Sequence, residues 1–119
     1  MDKTIIIDGK PVVFRKTAGT AHRYFTRTGR EFMDDFRKIL AVRASLTPEA
    51  TKEEKIEAVL SMSMSWAYDL AFVMAQQANP ALTNVEDWLD GFDEMNIMEV
   101  LDELIPMLVK ESRPSPKNV

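Results

Sequence analysis

The sequence predicts a mainly α-helical domain, with a small N-terminal β-hairpin followed by about five helices around a long central helix. Three observations carry this reading. Apolar residues recur at helical spacing through most of the chain beyond residue 20. Start signals of the form Thr or Asn followed three residues later by Glu stand at Thr51, Thr83 and Asn96. One β-rich run, residues 4–15, is split by Asp8-Gly9, a dipeptide that tolerates the positive φ of a tight hairpin turn.

Within the hairpin, Pro11 cannot donate a ladder hydrogen bond and belongs at a strand start or edge. A lone hairpin is marginal in water, so this one must pack on the helices or pair with another chain. A short helix is expected over 20–29, with Thr20 as N-cap and Gly29 as its stop. A second spans 31–44, its apolar face marked by Phe32, Phe36, Ile39 and Leu40. After a connection at 45–51, the capping box of Thr51 and Glu54 opens the longest helix, expected over 52–78. Ile56, Val59, Leu60, Ala67, Leu70 and Met74 form its stripe, and Met62, Trp66, Phe72 and Val73 widen it until little polar face remains. Such a helix is the buried centre of its domain. Asn79-Pro80 ends it.

Thr83-Asn84-Val85-Glu86 reads as the next capping box, leading into a short helix with Val85, Trp88, Leu89 and Phe92 on one face. Asn96 caps the last helix, where Ile97, Val100, Leu101, Leu104, Ile105 and Leu108 align. Pro106 lies inside that pattern and is expected to kink it. The organisation expected is one domain over 1–111 and a disordered tail over 112–119.

Composition narrows the function. The 119 residues suit one domain with its own core. The absence of cysteine excludes disulfides and thiolate metal sites, and fits a reducing compartment. No apolar run reaches the roughly 20 residues of a membrane helix. Met1-Asp2-Lys3 leads straight into the strand-like run, so no signal peptide is expected and the cytoplasm is the expected address. The net charge of -4 conceals a split: residues 1–46 hold 10 Lys/Arg and 5 Asp/Glu, and residues 47–119 hold 5 and 14. The halves either pair within one molecule or join molecules into an oligomer.

The residues offer little to bond-making chemistry. His22 is the single histidine, with no cysteine to activate and no second histidine for a shared metal. The four glycines are scattered and form no phosphate loop. Serines 61, 63 and 65 do not share a helix face. Eight acids between Glu86 and Glu103 lack calcium-loop spacing and read as solvated helix faces. Asp69 interrupts the most apolar helix and calls for a structural partner such as an arginine. No catalytic residue, cofactor or metal is therefore expected.

Contact with other proteins remains. Arg23, Arg27 and Arg30 fall at i, i+4 and i+7, beside Tyr24 and Phe25. Basic groups interleaved with aromatics also occur in nucleic-acid-binding proteins, but the acidic pI of about 5.0 weighs against that. Six of the eight methionines lie in the acidic half, Met62, Met64, Met74, Met95, Met98 and Met107. Methionine-bearing surfaces adapt to varied helical partners, whereas methionine as readily fills a core. The candidate interaction residues are Arg23, Tyr24, Arg27 and Arg30 on the basic side, and Asp90, Asp93, Glu94, Met95 and Met98 on the acidic side. In self-association the basic helix 20–30 is expected to meet the acidic helices 83–105 of a neighbour.

Several segments in order resemble the tail assembly chaperones of long-tailed bacteriophages and prophages of Gram-positive hosts. The opening Ile-Ile-Ile-Asp-Gly-Lys-Pro-Val-Val-Phe-Arg is similar to that family's hairpin. Thr17-Ala18-Gly19-Thr20-Ala21-His22-Arg23-Tyr24, with Phe25 and Gly29-Arg30, resembles its first helix. Residues 71–78, Asp87-Trp88-Leu89-Asp90-Gly91-Phe92 and Ile97-Met98-Glu99-Val100-Leu101 resemble its C-terminal half. The resemblance implies a cytoplasmic factor of the infected or lysogenic host, absent from the mature virion. Such a factor binds the tape measure protein, keeps it soluble, helps recruit tail tube subunits and self-associates. The alternatives are a generic helical adaptor or inhibitor, and a nucleic-acid-binding regulator.

Overall fold

A computed structural model describes residues 1–45, 49, 51–54 and 64–111. It is mainly helical, with an N-terminal hairpin, as the periodicity predicts. The elements run β1 (Asp2–Ile7), β2 (Lys10–Arg15), α1 (Thr20–Thr28), α2 (Phe32–Ser45), α3 (Ser65–Ala78), α4 (Val85–Asp90) and α5 (Ile97–Glu111).

The strands pair antiparallel, Ile7 opposite Lys10 and Asp2 opposite Arg15. Asp8 and Gly9 both have positive φ, 53° and 73°, the two-residue turn whose twist suits a hairpin. Beyond the strands, Met1 and Lys16 exchange both backbone bonds, at 2.8 and 3.1 Å. Antiparallel pairs alternate, so Lys3, Ile5 and Ile7 also bond across to β2, while Asp2, Thr4 and Ile6 turn their backbone groups outward. Pro11 opposes Ile6 in a non-bonded pair, where its missing N–H costs the ladder nothing.

Helix α3 is the centre. It packs against β2, α1, α4 and α5, and Trp66, Ala67 and every residue from Leu70 to Ala75 are buried. Phe14 of β2 meets Trp88 of α4 edge-on, and Trp88 also takes Phe72 and Phe92 edge-on, with centroids 5.7–6.3 Å apart. Each such pair adds about 0.5–1.5 kcal/mol to area burial. Gln77, near the end of α3, holds the link between β2 and α1. Its Oε1 accepts from Thr20 Oγ1 at 2.7 Å, its Nε2 donates to Thr17 Oγ1 at 2.9 Å, and its carbonyl accepts from Arg15 at 3.3 Å.

Three expectations are corrected. The helix expected over 52–78 is not one uninterrupted run. Lys52–Glu54 are helical behind the expected capping box, whose two bonds measure 3.1 and 3.2 Å, but Met64 lies outside α3 with φ -107° and ψ 0°. Serine hydroxyls compete for backbone groups and weaken a helix where they cluster. Thr20 is not the N-cap of α1; Gly19 is, and the Thr20 hydroxyl is committed to Gln77 and to the Thr17 N–H. The cap of α4 is Asn84 rather than Thr83, because its Oδ1 reaches the Asp87 N–H at 2.8 Å. Helix α5 runs from Ile97 to Glu111 with Pro106 inside it, on the exposed side, where a freed carbonyl meets solvent.

Gly29 ends α1 in the left-handed region, φ 74°, as expected, and Asn96 caps α5 through the Glu99 N–H. The expectations for Ile56, Val59, Leu60, Met62, Ser61, Ser63 and the tail fall outside the described residues, as do those for the side chains of Ile39 and Leu40.

Candidate interaction surface

The basic residues do not form one face. Arg30 follows the left-handed Gly29, so it leaves the helical register of Arg23 and Arg27 and turns to Asp35 of α2. Tyr24 is not a surface residue. Its ring is fully buried and its hydroxyl donates to Asp35 Oδ2 at 3.0 Å. Asp35 is itself buried, so its two oxygens are satisfied by Arg30 and Tyr24, as a carboxylate taken from water requires. Burial first, and then the Asp35 bond and charge, push the Tyr24 hydroxyl well above the ordinary tyrosine value.

Arg27 lies over Phe72 with its guanidinium 4.5 Å from the ring centroid. Arg15 forks onto Asp2 at 2.8 and 3.0 Å, and this bond holds the Asp2 carboxyl below its usual value. Arg15, Arg27 and Arg30 thus serve the fold, and Arg23 and His22 stand exposed on α1. Asp69 is half-buried in a cleft of about 460 Å³ with Arg27, Thr28, Arg30, Val85 and Glu86. Burial raises its carboxyl above the usual range, while Arg27 and Arg30 pull the other way.

The acidic residues gather differently. Asp90, Asp93, Glu94 and Glu99 are exposed and Met95 and Met98 half-buried, and Glu94, Met95 and Glu99 line one groove. The hairpin tip positions this region. Asp8 Oδ2 accepts from the Asp93 N–H at 2.9 Å, and Lys10 Nζ donates to the Gly91 carbonyl at 2.6 Å while lying 5.7 Å over the Phe92 ring. Among the described residues, Asp90, Asp93, Glu94 and Glu99 form no ion pair. Lys3 and Glu103 form an ion pair between the basic and acidic halves, at 2.8 Å. Of the six methionines, Met74 and Met107 are core, Met64, Met95 and Met98 are half-buried, and Met62 is outside the described residues.

One feature of the site is invisible to motif reading. Residues Thr4–Asp8 on one side and Glu94–Asn96, Glu99, Val100, Asp102 and Glu103 on the other line an open groove of about 830 Å³. The signal lies in Ile5-Ile6-Ile7: Ile5 and Ile7 enter the core, so Ile6 must face out, and it is 65% exposed.

Among the described residues no helix is long and apolar enough to cross a membrane, and no group of three metal-ligating side chains converges. Compared with known proteins, the chain matches no family model, and no curated protein or solved structure is significantly similar to it.

Proposed function

We propose that this chain is a tail assembly chaperone of the long-tailed phage type, which binds the tape measure protein, keeps it soluble and helps recruit tail tube subunits. The observation that carries the reading is the groove wall on which the half-buried Met95 lies with the exposed Glu94 and Glu99. A half-buried methionine flanked by exposed acids suits amphipathic helices with basic flanks. The segments that resemble the family fall on the hairpin, α1, α3, α4 and α5, so the resemblance rests on the elements that build the core and this surface.

A tape measure exposes apolar helical stripes until the tube encloses it, and bare stripes aggregate. Many copies of a small binder cover them, with modest affinity per copy made sufficient by multivalency. Self-association, residence in the host cytoplasm and absence from the finished virion belong to the same proposal. Of the guanidiniums on which a nucleic-acid reading rests, Arg27 lies over Phe72 and Arg30 pairs with Asp35, while Arg23 stands exposed.

The test is co-expression with the tape measure protein encoded beside this chain. The tape measure is expected to stay soluble and to co-purify when the chain is present, and to precipitate without it. A tape measure equally soluble alone, or recovery of this chain with unrelated helical proteins instead, moves the reading to a generic adaptor.

A further inference from the structure

We propose that the outer edge of β1 is a docking site for an extended, lysine- or arginine-bearing peptide segment, which adds to the hairpin as a third strand above the acidic face of α5. The inference goes beyond the tape-measure reading and does not depend on it.

The first observation is the edge itself. The alternation fixed by the Met1–Lys16 pair leaves the backbone groups of Thr4 and Ile6 pointing away from β2, and among the described residues neither takes another backbone partner. An edge with free N–H and C=O groups is a template for pairing. Natural proteins blunt such edges with proline, charge or a covering loop, and here Thr4 and Ile6 are exposed and uncharged. Proline stands on the other strand, as Pro11, so this hairpin has one blunted strand and one competent strand.

The second observation is the room beside the edge. Consecutive residues Thr4–Asp8 line the 830 Å³ groove, as an edge does and a sheet face does not. The opposite wall is the start of α5, with Met95 and Val100 as its apolar floor and the Lys3–Glu103 ion pair at one end.

The third observation is charge, and it selects the occupant. Asp8, Glu94, Glu99, Asp102 and Glu103 all line the groove. Glu94 and Glu99 are exposed and form no ion pair among the described residues. A second copy of the same edge would bring like charges face to face, which disfavours it. A strand with basic side chains at every second position would set them over Glu94 and Glu99, while its alternate side chains lie beside the exposed Ile6. Main-chain bonds would supply affinity and the acids would supply selectivity.

The experiment uses the full chain and a fluorescein-labelled eight-residue peptide alternating lysine with valine, read by anisotropy. Three comparisons accompany it: the same peptide N-methylated along one edge, the Ile6→Pro variant, and the Glu99→Lys variant. Saturable binding is expected, with affinity at least tenfold weaker for the methylated peptide and for each variant. Ile6→Pro removes an outward N–H at a position that makes no bond to β2, and circular dichroism checks its fold. If that variant fails to fold, Glu99→Lys and the methylated peptide still decide. No binding at millimolar peptide overturns the proposal. Equal binding of the methylated peptide overturns it too, because charge alone would then suffice. So does a self-associated protein that loses its partner copy in Ile6→Pro yet takes no peptide, because the edge would then belong to a second copy.

Discussion

The Tyr24 hydroxyl donates to Asp35 Oδ2 over 3.0 Å in a site closed to water, and Arg30 closes on the other oxygen of the same carboxylate. One buried acid thereby joins α1, the turn after Gly29 and α2. Tyr24→Phe leaves Asp35 short of a donor and is expected to cost about 1–3 kcal/mol in urea denaturation at pH 7.

The same bond predicts a response to alkali. The Tyr24 hydroxyl titrates higher in the fold than in the unfolded chain, so its neutral form is the one the fold favours. Its contribution is complete below the ordinary tyrosine value of about 10 and is lost as pH rises beyond it. Urea midpoints measured from pH 8 upward should fall more steeply above about pH 10 in the parent chain than in Tyr24→Phe.

Asp69 carries the opposite lesson. Its carboxyl is raised in the fold because burial outweighs Arg27 and Arg30, so its ionised form opposes folding at neutral pH. Asp69→Asn is expected to raise the urea midpoint slightly at pH 7, an advantage that fades as pH falls towards about 4 and is gone below it. A lowered midpoint at pH 7 would show that the carboxylate is a net stabiliser held by Arg27.

Cap positions can be separated by substitution. Asn84→Ala removes the acceptor for the Asp87 N–H and should cost about 1 kcal/mol. Thr83→Ala should stay within about 0.5 kcal/mol. Thermal unfolding of the two variants side by side checks this.

The two arginines of α1 should also part company. Arg27→Ala uncovers the Phe72 ring and is expected to lower stability by about 0.5–2 kcal/mol. Arg23→Glu should leave stability unchanged and reduce the light-scattering mass at low salt, if the exposed end of α1 meets acidic helices of a neighbour. A constant mass in Arg23→Glu removes α1 from the association surface.

Elements with strong local signals were legible in the chain. The Asp8-Gly9 turn, the stop at Gly29, the Thr51–Glu54 box and the buried centre at Leu70–Ala75 follow from residue types acting over a few positions. Contacts over long separations were not legible. The spacing of Arg23, Arg27 and Arg30 assumes an unbroken helix, and the left-handed Gly29 breaks it before Arg30. Tyr24 beside those arginines looked like surface chemistry, and only the approach of Asp35 makes it core. The acids at 90–99 were found from sequence, but their alignment with β1 depends on Asp8 and Lys10 bonding to residues more than 80 positions away.

Pro11 has a further effect on how copies of this chain can accumulate. Fibres grow when a subunit offers two complementary sheet margins, each addition regenerating a site for the next. With one N–H deleted from the second margin, the two edges of the hairpin are not equivalent templates. Addition to the hairpin would therefore be one-sided, on the β1 margin alone.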